Sequence, residues 1–111
     1  MDMTTLVNDD KMIVYLSGEI DHHYSREIRE SLDKLIILQR PACLILDLSG
    51  VDFMDSSGLG LILGRYRKMK ELSGSMYICG ASEKTGRILK MAGVDKLIKN
   101  TGTKDNKDRK D

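Results

Sequence analysis

The sequence predicts an α/β domain built on a mixed, mostly parallel sheet of about four or five strands packed with about three or four helices. Two observations carry this. Short apolar runs at 12–20, 42–46 and 75–80 have strand length, and the segments between them place apolar residues at helical spacing. A chain of 111 residues with 41% hydrophobic but only 5% aromatic side chains has room for one domain with an aliphatic core.

The elements follow in order. Met12 to Ile20 alternates as a strand and forms a hairpin with Met3–Val7 across the turn residues Asn8-Asp9-Asp10. Over 25–38 the period changes: Ile28, Leu32, Leu35 and Ile36 share one helical face. Pro41 breaks that helix from Ala42–Leu46, which is apolar throughout and suits a strand buried on both faces. After Asp55 a second helical stripe runs through Leu59, Ile62, Leu63, Tyr66 and Met69, stopping at Ser73-Gly74. Ser75–Gly80 is a further strand. Ser82 caps a third helix bearing Ile88, Leu89 and Ala92, and Val94–Ile98 reads as a final strand. The domain is expected to span 1–99. Residues 100–111, with four basic and three acidic side chains and nothing larger than Thr methyls to bury, read as a disordered charged tail.

Composition excludes several functions. A net charge of +1, neutral once the tail is set aside, gives no electrostatic case for nucleic acid or an anionic membrane. The longest apolar run, near Leu59–Gly64, is far short of the ~20 residues of a membrane span. Met1-Asp2-Met3-Thr4 lacks a signal-peptide pattern, so a cytoplasmic protein is expected, and small size and neutrality make it a monomer when free. Cys43 and Cys79 sit in apolar runs as buried thiols; without a CxxC pair or a Cys/His cluster no metal site and no cofactor are expected.

The informative stretch is Phe53-Met54-Asp55-Ser56-Ser57-Gly58-Leu59-Gly60, which joins a strand to the second helix. Asp and Ser are helix-capping residues, yet two hydroxyls exceed one cap's need, and the glycines let another surface approach. A helix start also suits an added phosphate, because its free N–H groups and dipole favour negative charge. The loop Gly18-Glu19-Ile20-Asp21-His22-His23 ends the second strand, and parallel strands bring such loops to one sheet edge. Asp21 is the expected N-cap of the first helix. His22 and His23, roughly 100° apart on a helix, cannot chelate one metal and read as surface residues at a partner contact. Phe53 is the better core candidate by size; Met54 and Leu59 are either apolar contacts around the hydroxyl or core.

These two stretches, with Ile62-Leu63-Gly64-Arg65-Tyr66, resemble the bacterial anti-sigma factor antagonists, which are single STAS-domain proteins, and among them the sporulation type that controls sigma-F. The resemblance covers the chain except its tail. It implies a switch and no enzyme. The unmodified antagonist binds an ATP- or ADP-bound anti-sigma factor that is also a serine kinase, and so frees the sigma factor for transcription. Phosphorylation of the first Ser of the motif, Ser56, ends binding, and a PP2C-type phosphatase resets it. The implied partner-binding residues are Gly18, Asp21, His22, His23, Met54, Asp55, Ser57, Gly58 and Leu59, with Ser57 capping the helix while Ser56 projects outward. Two other readings compete. One is a STAS protein of another partner-switching pathway, such as stress. The other is a small hydrolase using Ser56, a histidine and Asp21, against which stands the missing Gly-x-Ser-x-Gly elbow. Nucleotide binding is disfavoured, since Gly58-Leu59-Gly60 matches neither phosphate-binding fingerprint.

Overall fold

In the computed structural model, which describes residues 2–100, five strands form one sheet in the order β1-β2-β3-β4-β5. β1 (Asp2–Asn8) pairs antiparallel with β2 (Lys11–Ile20), and β3 (Cys43–Met54), β4 (Ser75–Cys79) and β5 (Lys99–Asn100) continue in parallel. The crossovers are α1 (His22–Gln39), α2 (Ser56–Glu71) and, between β4 and β5, α3 (Glu83–Met91) followed by a single 3-10 turn at Val94–Lys96.

One parity of each central strand makes the core. Met12, Leu44 and Met76 form one cross-strand row, and Val14, Leu46 and Ile78 the next. Against them pack Ile28, Leu32 and Ile36 from α1, Ile62 and Met69 from α2, and Leu89 from α3. Burying one to three such side chains per helix holds the amphipathic segments in place, at ~1.5–3 kcal/mol each.

Several expectations shift. The second helix buries Gly58, Leu61, Ile62, Arg65 and Met69, so its inner stripe is turned relative to Leu59, Leu63 and Tyr66, which are only half-buried. Ile88 is likewise half-buried and Ala92 exposed. Val94–Ile98 is not a strand: Val94 and Ile98 are the buried pair at spacing four, and Ile98 N–H donates to the Val94 carbonyl at 2.8 Å. Helical spacing won over β-branched composition there. Cys43 and Cys79 are half-buried, not fully buried, because they lie on the parity away from the core. Asn100 belongs to β5, and the rest of the expected tail, 101–111, lies outside the described residues.

The third strand runs eight residues beyond Leu46, to Met54. Its pairing with β2 stays parallel from Lys11↔Cys43 to Ile20↔Met54, but with two irregularities. Tyr15 to Ser17 is matched by Asp47 to Gly50, and Gly18 to Glu19 by Val51 to Phe53, so β3 carries one extra residue at each. Opposite the second of them, on β2, Gly18 takes φ +94°, a left-handed backbone that glycine supplies without strain. The two strands therefore end level, and the residues that follow them, Asp21 and Asp55, stand side by side.

Candidate functional site

Asp21 and Asp55 are the N-caps of α1 and α2. Asp21 Oδ1 accepts the amides of His23 and Tyr24 at 3.0 and 3.1 Å. Asp55 serves both helices: Oδ1 accepts the Ser57 amide at 2.8 Å, and Oδ2 reaches across to the His22 amide at 3.1 Å. Its own N–H donates to the Ile20 carbonyl at 3.3 Å. Two carboxylates thus satisfy four of the orphan amides that open the two helices and tie their starts together. The cap of α2 is Asp55, not Ser57. The Ser57 hydroxyl is instead turned to the same carboxylate.

Partial burial pushes the Asp55 carboxyl up, but the amides of Ser57, His22 and Gly58 and the Ser57 hydroxyl outweigh it and hold it below the usual aspartate value. A carboxyl lowered on folding contributes stability that is present above its unfolded value and lost as pH falls through the folded one. Asp55 should accordingly titrate below 3.8 when its carboxyl carbon is followed by NMR. Asp55→Asn should lessen the loss of stability in that acid range; an ordinary Asp55 midpoint would refute the bridging role.

With the caps fixed, Ser56 occupies the first position of α2 with its side chain exposed. His22 and His23 are exposed on the first turn of α1, and Ser57 and Leu59 are half-buried. A shallow depression of about 310 Å³ lies beside them, lined by Ser25 and Arg29 of α1 and by Ser57, Gly60 and Leu61 of α2. Met54 does not belong to this surface. It is 2% exposed in the core, whereas Phe53 is 43% exposed, because β3 continues through the bulges and turns Met54 inward. Gly58 is buried, and a Cβ there would run into Met54 and stand 3.1 Å from both the Ile20 carbonyl oxygen and Ile20 Cγ2. Its contribution is close helix–strand approach rather than an exposed contact. Nothing lies within 4 Å of a Cβ added to Gly60. Gly58→Ala should therefore lower stability by ~1–2 kcal/mol, overpacking outweighing the better helix propensity. Gly60→Ala should raise it by up to ~1 kcal/mol in the same denaturant titration.

Of the residues a serine hydrolase would use, Asp21 caps α1 through Oδ1, and among the described residues no histidine ring is found donating to it.

The STAS domain family matches residues 2–108. An anti-sigma F factor antagonist from Paenibacillus polymyxa is 44% identical over 89 residues, covering 78% of this chain and 74% of that protein. The chain belongs to the STAS-domain anti-sigma factor antagonists. Among solved structures, this antagonist is similar to SpoIIAA in its unphosphorylated form, with TM-score 0.68 and 27% identity over 81% of this chain and 83% of that one. It is also similar to the Bacillus cell fate determinant SpoIIAA in the phosphorylated form, with TM-score 0.71 and 25% identity over 99% and 100%.

In this antagonist the residues that sequence reasoning missed are Ser25 and Arg29 at the depression, and the buried Arg65 beneath α1. Ser25 and Arg29 follow His22 at near-helical spacing on α1, a signal open to detection once the helix is known to begin at residue 22. Arg65 is 6% exposed, with Nε 3.0 Å from Asp33 Oδ1. The Nε–H is not directed at the carboxylate, so Nε, Nη1 and Asp33 Oδ1 are buried without a hydrogen bond. The attraction there is Coulombic. Burial lowers the Arg65 value, Asp33 raises it and Arg29 lowers it, and an arginine stays charged throughout.

Proposed function

We propose that this antagonist, unmodified, binds an anti-sigma factor that is also an ATP-dependent serine kinase, and so frees a sigma factor to recruit RNA polymerase. That kinase phosphorylates Ser56, the complex dissociates, and a metal-dependent PP2C-type phosphatase restores the hydroxyl. The cycle runs in the cytosol, and the contact surface is the edge holding Gly18, Asp21, His22, His23, Ser56, Ser57 and Leu59. For phosphoryl transfer the chain supplies only the attacking oxygen; nucleotide, Mg²⁺ and base belong to the kinase. It is a substrate and binding module, not a catalyst.

The observation that carries this reading is the exposed Ser56 hydroxyl at the first position of α2, on a rim fixed by two capping carboxylates. A relative known in unphosphorylated and phosphorylated forms fits it. The test is to incubate the full chain with ATP and the anti-sigma kinase of the same organism, then locate the phosphate by mass spectrometry. Stoichiometric phosphate on Ser56, absent in Ser56→Ala, is expected. Phosphate on Ser57, or none with either a sporulation or a stress anti-sigma kinase, would overturn the assignment.

A further inference from the structure

At an ordinary helix start a phosphate is welcomed by free amides and by the dipole. At α2 the three amides that follow the first are already engaged. Ser57 N–H donates to Asp55 Oδ1 at 2.8 Å, while the Gly58 and Leu59 amides donate to the Asp55 carbonyl at 2.9 and 3.3 Å. Nor can Asp55 step aside cheaply, because its second oxygen holds the His22 amide and its N–H is fixed on Ile20. Turning the carboxylate away would break contacts at both helices at once. The start of α1 offers no substitute at His23 and Tyr24, whose amides are held by Asp21.

We propose that Asp55 is the positioning residue of this switch: its carboxylate holds the Ser57 amide and its carbonyl the Gly58 and Leu59 amides, so that a phosphate on Ser56 is kept off the helix terminus and stands in solvent. This rests on the reading of Ser56 as the modified residue and adds what happens to the group once attached. The phosphate keeps its full charge toward an approaching partner, and its ester stays open to a hydrolysing enzyme. The charged and titratable groups around it are Asp55, Asp21, His22 and His23, together with Arg26 and Arg29 along α1, which line the surface beyond the histidines.

The experiment places phosphoserine at position 56 co-translationally in the full chain, in otherwise unchanged protein and in the Asp55→Asn and Asp55→Ala variants. Each is followed by phosphorus NMR and amide correlation spectra while pH is raised through the second phosphate ionisation, near ~6 for phosphoserine. In the parent chain the phosphate should ionise above the value of a phosphoserine peptide, and the Ser57 and Gly58 amide protons should not move downfield as it does. In Asp55→Asn, which keeps an acceptor but loses the charge, the ionisation should fall while the amides stay put. In Asp55→Ala the Ser57 amide should move downfield and the ionisation fall further. The amide spectra also report whether each variant is folded. Downfield amide movement in the parent chain, or identical phosphorus titrations in parent and Asp55→Ala, would overturn the inference. Since no kinase is used, these outcomes are independent of whether the anti-sigma kinase modifies Ser56.

Discussion

Ser56→Asp is expected to weaken binding to the anti-sigma factor by more than a hundredfold, a coupling of ~3 kcal/mol. The hydroxyl is exposed at the rim, with the Asp55 and Asp21 carboxylates anchored beside it. A further negative charge in that contact must be desolvated among like charges. Phosphate, with about −1.5 to −2 charges, should do at least as much. Ser56→Ala, by contrast, should bind like the parent and remain bound when ATP is added, because it lacks the acceptor oxygen. Calorimetric titration into the anti-sigma kinase with ADP present separates these cases. Equal affinities for parent and Ser56→Asp would remove Ser56 from the contact.

The second large effect lies beneath the site. Asp33→Ala should cost ~2 kcal/mol and lower Tm by on the order of 10 °C, since it leaves the Arg65 guanidinium buried without its counter-charge. The figure is below that of a fully buried pair because the Asp33 side chain is 28% exposed. Arg65→Met should cost less than ~1 kcal/mol: the thioether fills the volume, and Asp33 can hydrate. The double variant should recover most of what Asp33→Ala loses. Equal losses in the two single variants would mean that the pair acts through packing rather than charge.

Much of this was legible in the residues. The change of apolar period marked each helix and strand through 90, and Asp, Ser and Ser at a strand–helix junction marked the site. The antiparallel hairpin and the Ser82 cap, which accepts the Thr85 amide at 3.1 Å, followed from turn and capping chemistry. What escaped has physical causes. Ser49, Gly50 and Asp52 interrupt the apolar pattern, so β3 reads short, and a bulged strand offers no constant period to extend. Side-chain size favoured Phe53 over Met54 for the core, but strand direction, which sequence spacing loses across a bulge, decides the matter. That one carboxylate would cap two helices was not legible either. It depends on β2 and β3 ending level, a long-range register that no local pattern encodes.

That register has a consequence for how such a protein can change over time. The two core rows Met12-Leu44-Met76 and Val14-Leu46-Ile78 lie ahead of both bulges, and the recognition edge lies behind them. The two extra residues of β3 work like a vernier between a scaffold and a reading head. Removing one residue within 48–52 should leave Met12, Leu44 and Met76 in line, yet slide Asp55 out of step with Asp21. The chain could then still fold and be unable to find its partner. Divergence among antagonists that serve different circuits thus has a route open to it, by changing the gauge and leaving those two rows alone.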